Sequence, residues 1–207
     1  MSRSTIVNAI TFARVPLIVA WAVLAIIEEF RGGIAFAALA CAMMLLSALT
    51  DLWDGKLAHK WNCVSRLGKM ADPLMDKVFY LVAFPELVWQ IMHQAESEEH
   101  ALAMLVFTIL YLFRDTWVTF MRSIGTMYGA DVAAKYLGKV RTALSFPGAG
   151  WVYAFLAFHR FVPAAWAEVW LTSCYFVEMV LAGLTVVSFF TYTKDYWPYL
   201  KKALAQK

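Results

Sequence analysis

The sequence predicts an all-α, polytopic membrane protein with about six transmembrane helices. Three observations predict this fold class. Of the 207 residues, 62% are hydrophobic and only 16% are charged, and the mean hydropathy is +0.61. The apolar residues are gathered in runs of about 20, the length that a helix needs to cross a bilayer. The connecting stretches are short and polar, so most of the chain is expected to lie in lipid.

Six apolar segments follow one another along the chain, and each is expected to form one helix. The Gly32-Gly33 pair and Pro163 mark two junctions between them. Neither a solenoid-length repeat nor a Pro/Ser/Gly-rich linker divides the chain, so residues 1–207 are expected to form a single membrane domain. The first segment does not resemble a cleaved secretory signal and is expected to be retained. The segments are 6–28, 33–52, 72–94, 101–121, 142–160 and 167–191.

The cysteines argue against two common kinds of site. Cys41, Cys63 and Cys174 are odd in number and scattered, without a CxxC pair or zinc-ligand spacing to a histidine. Neither a disulfide framework nor a zinc site is therefore expected. Any bound metal should be held by oxygen ligands, and no nucleic-acid partner is expected.

Basic residues predict the orientation of the helices, because Lys and Arg near membrane ends are retained on the cytoplasmic side. If the N-terminus is inside, the opposite side keeps only Arg31 and Arg160. We therefore expect a multi-pass protein of the cell (inner, cytoplasmic) membrane, with both termini and the loop after the second helix in the cytosol. The residues assigned to cytoplasmic ends are Arg3, Lys56, Lys60, Arg66, Lys69, Arg122, Lys135, Lys139, Arg141, Lys194, Lys201, Lys202 and Lys207.

Four of the seven aspartates are concentrated at the cytoplasmic ends of the second and third predicted helices. Asp51 and Asp54 are three residues apart and Asp72 and Asp76 are four apart, so each pair projects from one helix face. Four carboxylates close together at membrane depth are tolerable only if cations neutralise them. Two Mg²⁺ ions, with Mn²⁺ as an alternative, suit oxygen ligands and would clamp a phosphate substrate. The competing interpretation makes the aspartates helix caps and partners of nearby Lys and Arg.

The segment Asp51-x2-Asp54-Gly55-x2-Ala58-His59-x8-Gly68-x3-Asp72-x3-Asp76 resembles the signature of the CDP-alcohol phosphotransferase family. Every spacing matches, and all the fixed residues match except one. The resemblance implies a six-helix fold, a homodimer and a two-metal site with the first three aspartates as ligands. It also implies that Asp76 is the general base and touches metal. Gly55, Ala58 and Gly68 would belong to the donor-binding segment, where glycine lets backbone approach a cytidine diphosphate.

His59 is the departure from this signature, because the family has an arginine there that is expected to contact the donor's phosphates. Arginine is always charged and binds phosphate through two nitrogens, whereas histidine is only partly cationic near neutral pH. Lys60 could supply the charge from another direction, or His59 could do so in its cationic form. A plain interfacial histidine is the third alternative.

A second group of basic residues lies in the fourth and fifth predicted helices. Two arginines and an aspartate occur at helical spacing in the fourth, and Asp115 is expected to satisfy one of the arginines. The excess positive charge indicates an anion, and a phosphate on the acceptor suits it. The positive-inside rule alone is the alternative explanation for the cations of segment 135–142. The candidate acceptor-phosphate ligands are Arg114, Arg122, Lys135, Lys139 and Arg141.

Two further segments, Asn8-x2-Thr11-x2-Arg14-x-Pro16 and Gly138-Lys139-Val140-Arg141-Thr142, resemble bacterial phosphatidylglycerophosphate synthases of this family. The resemblance implies transfer of a phosphatidyl group from CDP-diacylglycerol to sn-glycerol 3-phosphate, giving phosphatidylglycerophosphate and CMP. The alternative is a phosphatidylinositol phosphate synthase or another CDP-alcohol phosphatidyltransferase, which would also use a small alcohol. The acyl chains of the donor are expected to remain in membrane lipid, in an apolar groove against the second, fifth and sixth helices.

A divalent-cation transporter is the alternative from a different class, because six helices with intramembrane carboxylates are also typical of transporters. Transporter acids usually lie near the bilayer midplane, in broken helices of repeated halves. Neither feature is visible in this sequence, and the enzyme is the preferred hypothesis.

Overall fold

The structure is a computed structural model that describes residues 2–63, 65–94, 98–130 and 136–205. Within these ranges, four side chains lie outside the description, those of Arg66, Lys69, Met70 and Asp72. The described residues form six α-helices and no strand, which confirms the predicted fold class. The helices are α1 (Arg3–Arg31), α2 (Ile34–Lys60), α3 (Arg66–His93), α4 (Glu98–Met127), α5 (Tyr136–Phe158) and α6 (Ala164–Ala205), with one 3₁₀ turn at His159–Phe161.

The helices are longer than the apolar segments that predicted them. α2 continues past its apolar run to Lys60, so Asp51 and Asp54 lie on a helix rather than in a loop. α6 continues to Ala205 and is 42 residues long. Intrahelical hydrogen bonds do not depend on lipid, so a helix can continue where polar residues with good helix propensity follow the apolar run.

Local sequence determines where several helices begin and end. Ser2 and Ser65 cap α1 and α3, because each side-chain oxygen accepts a hydrogen bond from the backbone N–H three residues ahead. Gly32 and Gly33 connect α1 to α2 with φ of 67° and 109°, a region that residues with a Cβ rarely adopt. Pro163 directly precedes α6. The junctions predicted at Gly32-Gly33 and Pro163 are therefore confirmed.

Among the described helices, α1, α2, α4 and α6 are long and apolar enough to cross a membrane. The remaining two, α3 and α5, do not meet that criterion. α3 packs against α1, α4 and α5, and α5 packs against α2, α3 and α6, so much of their surface faces protein. The chain is a polytopic membrane protein.

Aromatic side chains form the core between α3 and α4. The rings of Tyr80, Phe84 and Tyr111 are almost fully buried, with centroids 4.8–5.3 Å apart. Such ring pairs contribute about 0.5–1.5 kcal/mol each beyond the burial of their area. Tyr80 lies one turn after Asp76 on α3, so this packing also orients the acidic end of that helix.

α1 and α2 form an antiparallel hairpin, because only Gly32 and Gly33 separate them. The hairpin places the C-terminal end of α2 beside the N-terminal half of α1, where Thr11 contacts Asp54. α3 also packs against α1. Three helices therefore meet at the end of the bundle where the sequence places its aspartate cluster.

Candidate active site

Three of the four predicted aspartates converge on one arginine of α1. Arg14 donates hydrogen bonds to Asp51, to Asp54 at 3.4 Å and to Asp76 at 3.0 Å. The carboxylates of Asp51 and Asp54 come from α2, and that of Asp76 comes from α3. The predicted meeting of the two acidic helix ends is therefore observed for these three residues. The fourth, Asp72, has its backbone in α3 one turn before Asp76, and its side chain lies outside the described residues.

One polar face of α1 holds this acidic cluster in place. Asn8, Thr11 and Arg14 are three residues apart, so they project from the same side of the helix. Thr11 is buried, and its hydroxyl donates to Asp54 at 2.8 Å. Asn8 accepts a hydrogen bond at 2.7 Å from Ser65, the residue that caps α3. α1 thus contacts both acidic helices through polar side chains.

From sequence, Asn8, Thr11 and Arg14 entered only as part of a resemblance, with no role assigned to them. The spacing was a usable signal, because three polar residues on one face of an apolar helix need polar partners in the protein. Ser65 links Asn8 to the start of α3 and was not among the predicted site residues. Its role is visible only when the two helices are seen together.

The carboxylate oxygens of the cluster suit a hard divalent cation, but in the structure they bond to the guanidinium of Arg14. Carboxylate oxygens are the ligands that Mg²⁺ prefers, and Asp51, Asp54 and Asp76 all lie within reach of one cationic group. Among the residues whose side chains are described, no three Asp, Glu, His or Cys converge as a ready-made metal site. Arg14 lies among the three carboxylates. The ligand chemistry therefore fits the metal, and Arg14 bonds to the same three carboxylates that would hold it.

The predicted donor-binding segment follows the first two aspartates. Gly55 is exposed on α2, and a Cβ placed there would meet no atom within 4 Å, so this side of the helix is open to a ligand. Ala58 is half-buried and His59 is exposed near the end of α2. Gly68 differs, because a Cβ there would lie 3.1 Å from the Ser65 hydroxyl and 3.3 Å from the Asn8 side-chain oxygen. Its missing side chain makes room for protein contacts at the start of α3.

A cavity of about 730 Å³ opens beside the acidic cluster. Arg14, Asp51 and Asp76 are among the polar residues that line it. Phe79 and Phe146 are among the apolar residues that line the rest, together with parts of α2 and α5. We call this the first cavity. It partly matches the groove expected from the sequence, since α2 and α5 line it, but α3 replaces α6 in its wall.

The second predicted group of charges is also brought together. Arg114 on α4 and Arg141 on α5 are buried, and both donate to the same carboxylate oxygen of Asp115. The expectation that Asp115 satisfies one arginine of the fourth helix is confirmed for Arg114, and Asp115 also bonds to Arg141 of α5. The second arginine comes from another helix, and sequence spacing does not reveal that approach. Arg114 also donates to Ser188 on α6.

The positive charges of Arg114 and Arg141 still outnumber the single negative charge of Asp115. Among the described residues, Nε of Arg114 and both Nε and Nη1 of Arg141 have no hydrogen-bond partner. The guanidinium of Arg141 lies 4.0 Å from the ring centroid of Tyr111, and that of Arg114 lies 5.1 Å from the ring centroid of Tyr192. The aromatic faces compensate part of the charge. The remaining donor capacity suits an anion.

A second cavity of about 380 Å³ adjoins this group. It is lined by Arg114, Arg122 and Arg141, together with Lys77, a cation that the sequence analysis did not single out. Lys139 lines the first cavity instead. Lys135, another predicted acceptor ligand, lies outside the described residues.

Asp76 lies between the two cavities and lines both. The other residues that line both are Tyr80, Gly138 and Thr142. A molecule bound in the acidic first cavity and an anion bound in the basic second cavity would therefore meet at the Asp76 carboxylate. This is the arrangement that a transfer reaction between two bound substrates needs.

A family model and several known proteins match this chain. A family model described as CDP-alcohol phosphatidyltransferase matches residues 4–177. A CMP-forming cardiolipin synthase of Streptomyces coelicolor is 29% identical over an alignment of 191 residues, covering 84% of this chain and 82% of that protein. A CDP-diacylglycerol–glycerol-3-phosphate 3-phosphatidyltransferase of Escherichia coli K12 is 29% identical over 142 residues, covering 69% of this chain and 71% of that protein. The chain belongs to the CDP-alcohol phosphatidyltransferase family and is a membrane-embedded transferase.

Proposed function

We propose that the protein transfers a phosphatidyl group from CDP-diacylglycerol to sn-glycerol 3-phosphate, giving phosphatidylglycerophosphate and CMP. The observation that carries this proposal is the position of Asp76, which lines both the acidic first cavity and the basic second cavity. The name of the Escherichia coli relative states the same donor and acceptor. Family membership favours this enzyme over the divalent-cation transporter considered from sequence.

The second cavity supports a phosphorylated acceptor. Arg114 and Arg141 are buried and share one carboxylate, so an additional anion would complete their charge balance. A phosphate group can accept several hydrogen bonds from a guanidinium at once, whereas a neutral hydroxyl cannot neutralise it. Arg122 and Lys77 on the same wall add to the attraction. An acceptor phosphate held there would leave the far end of a small alcohol near Asp76.

The acidic cluster would hold two Mg²⁺ ions, or Mn²⁺, through Asp51, Asp54, Asp72 and Asp76. When bound, the metals would neutralise the diphosphate and polarise the phosphorus under attack. Gly55 leaves open space beside these carboxylates for the nucleotide part of the donor. Ala58, His59 and Gly68 follow in the same segment and complete the proposed donor-binding residues.

Asp76 is the proposed general base. Its carboxylate accepts the proton of the acceptor's primary hydroxyl while the hydroxyl oxygen bonds to the β-phosphorus of the donor. The bond from that phosphorus to the oxygen of the CMP phosphate breaks in the same displacement, and CMP leaves. The phosphatidyl group passes directly between substrates, and no covalent bond to the enzyme is needed.

The first cavity suits a lipid donor because its walls change from charged to apolar. Asp51 and Asp76 lie at its polar part, whereas Phe79, Phe146 and Pro147 line its apolar part. The acyl chains can therefore remain in an apolar environment while the diphosphate lies at the aspartates. We place the aspartates at the cytoplasmic boundary of the cell membrane, with both chain termini on that side, and we propose a homodimer of one domain per chain.

Cardiolipin synthesis is the second candidate function. The Streptomyces coelicolor relative is named as a CMP-forming cardiolipin synthase, and its alignment covers more of this chain than that of the Escherichia coli relative. That name implies a lipid acceptor rather than a small water-soluble alcohol. The excess of cations over carboxylates in the second cavity favours the small phosphorylated acceptor. A phosphatidylinositol phosphate synthase would use the same cations and differs only in the alcohol.

CMP release from purified protein tests the proposal. The protein is mixed with CDP-diacylglycerol, Mg²⁺ and one acceptor at a time: glycerol 3-phosphate, phosphatidylglycerol, inositol phosphate, inositol or serine. We expect CMP release to depend on glycerol 3-phosphate and Mg²⁺. Asp76→Asn should lower kcat about 10²–10⁴-fold, the usual contribution of a general base, with little change in the acceptor KM. Release that requires phosphatidylglycerol instead would replace the proposal by cardiolipin synthesis.

A further inference from the structure

We propose that Arg14 is an exchangeable counter-ion of the acidic cluster, which holds the aspartates together before metal binds and turns to the donor's diphosphate once metal displaces it. The proposal rests on the metal-dependent transfer proposed above. It deepens that function by assigning a role to an arginine outside the aspartate signature.

Arg14 has the burial and contacts of a structural cation. Its side chain is only 4% exposed, and it bonds to Asp51, Asp54 and Asp76. Among the described side chains, the three carboxylates outnumber the one guanidinium that bonds to all of them. The cluster is therefore held together and remains attractive to a further cation. Removal of Arg14 in the absence of metal would leave Asp54, which is nearly as buried, facing two other carboxylates.

Metal and Arg14 compete for the same three carboxylates. A directly bound Mg²⁺ lies about 2.0–2.1 Å from its ligand oxygens. Arg14 now bonds to one oxygen of each of the three carboxylates and lies among them. A dication drawn into the same cluster would also repel the guanidinium. Binding of metal should therefore expel Arg14 from its bonds to the aspartates.

The displaced guanidinium has a destination within reach. Arg14 lines the first cavity together with Asp51 and Asp76, next to the place where the donor's diphosphate would lie. Its Nε is buried and has no hydrogen-bond partner among the described residues, so the side chain already has unused donor capacity. The planar fork of arginine suits phosphate oxygens. This charge would compensate for His59, which stands where the family has an arginine.

The alternative is a permanent salt bridge, and metal-dependent stability separates the two. We would purify wild-type protein, Arg14→Gln and Arg14→Lys in detergent and measure melting temperatures in EDTA and in Mg²⁺. Binding of Mn²⁺ alone and of CDP with Mg²⁺ would be measured by calorimetry. Arg141→Gln is the matched control, because it removes another buried arginine that pairs with an aspartate away from the proposed metal ligands.

For Arg14→Gln we expect a lower melting temperature in EDTA and recovery close to wild type in Mg²⁺. Mn²⁺ should bind about tenfold more tightly, because the guanidinium charge no longer competes for the carboxylates. CDP should bind more weakly. Arg14→Lys should change in the same direction by less, and Arg141→Gln should lose the same stability with and without Mg²⁺.

Equal destabilisation of Arg14→Gln in EDTA and Mg²⁺, with unchanged or weaker Mn²⁺ binding, would overturn the exchange. If folded Arg14→Gln cannot be purified, the same two measurements on Arg14→Lys decide between the alternatives. If neither variant is recovered even in Mg²⁺, the exchange is also overturned, because metal should replace the missing charge. Absence of Mn²⁺ binding in wild-type protein would instead refute the metal site of the proposed function. If wild-type protein binds metal and releases CMP but the Arg14 variants do not show the expected changes in stability and binding, only the exchange is refuted.

Discussion

Replacement of Asp115 by Asn tests how the two buried arginines are held. Arg114 and Arg141 come from different helices and share one carboxylate oxygen of Asp115. The side chains of the three residues are 7%, 2% and 19% exposed, so water screens these ion pairs little. Asn keeps the size and one acceptor oxygen but removes the negative charge that the two cations share.

The magnitude follows from burial and geometry. Breaking a buried ion pair by removing one partner costs about 3–5 kcal/mol, because it leaves an uncompensated charge. Because Asn retains one acceptor oxygen, we expect Asp115→Asn to lose about 3 kcal/mol of stability, the lower end of that range. For a chain of this length, such a loss lowers Tm by about 6–12 °C.

The assay is thermal unfolding of the detergent-solubilised protein, with and without inorganic phosphate. Phosphate should raise the Tm of Asp115→Asn more than that of wild type, because the variant has a larger positive excess in the second cavity. Glu168→Gln, the same change of acid to amide at an exposed position of α6, is the control and should leave Tm nearly unchanged. A loss below about 2 °C, or one equal to that of the control, would refute the reasoning that Asp115 joins both buried cations.

Two further substitutions test packing at and beside the site. Thr11→Val should lower the stability by about 1–3 kcal/mol, because it removes the buried hydroxyl that donates to Asp54, whereas Thr11→Ser should retain most of it. Urea unfolding would measure the difference, and equal values for Val and Ser would contradict the hydrogen bond. Gly125→Ala should cost about 1–3 kcal/mol, because its Cβ would lie 2.5 Å from the Tyr196 ring. Gly183→Ala, where a Cβ meets no atom within 4 Å, should be neutral or stabilising, and a similar loss in both variants would show that the ring contact is not the cause.

Much of the fold was predictable because membrane helices must satisfy their backbone hydrogen bonds internally. The six apolar segments correspond one to one with α1 to α6. The predicted ends were less accurate, since α2 runs to Lys60 and α6 to Ala205. Hydropathy reports where lipid begins and ends, whereas helix ends depend on caps such as Ser65 and on turns such as Gly32-Gly33.

The acidic part of the candidate site was predictable for a related reason. Helical spacing places Asp51 beside Asp54, and the hairpin-like order of the helices places both near Asp76. The partners of Arg14 on the polar face of α1 were not predictable, since Arg14 is 37 residues from Asp51 and 62 from Asp76 along the chain. No periodicity relates residues at such separations. The roles of Gly55, His59 and the other donor residues stay predictions.

The sequence alone determined that most of the chain lies in lipid, how many helices it forms, and that carboxylates are concentrated at one end of α2 and α3. These properties follow from local composition and from spacing within single helices. Only the tertiary structure decided that Arg14 bonds to all three described carboxylates, that Asp115 bonds to two arginines, and that Asp76 lines both cavities. Each of these facts joins residues of different helices, and which faces meet is decided by the packing of all six helices together.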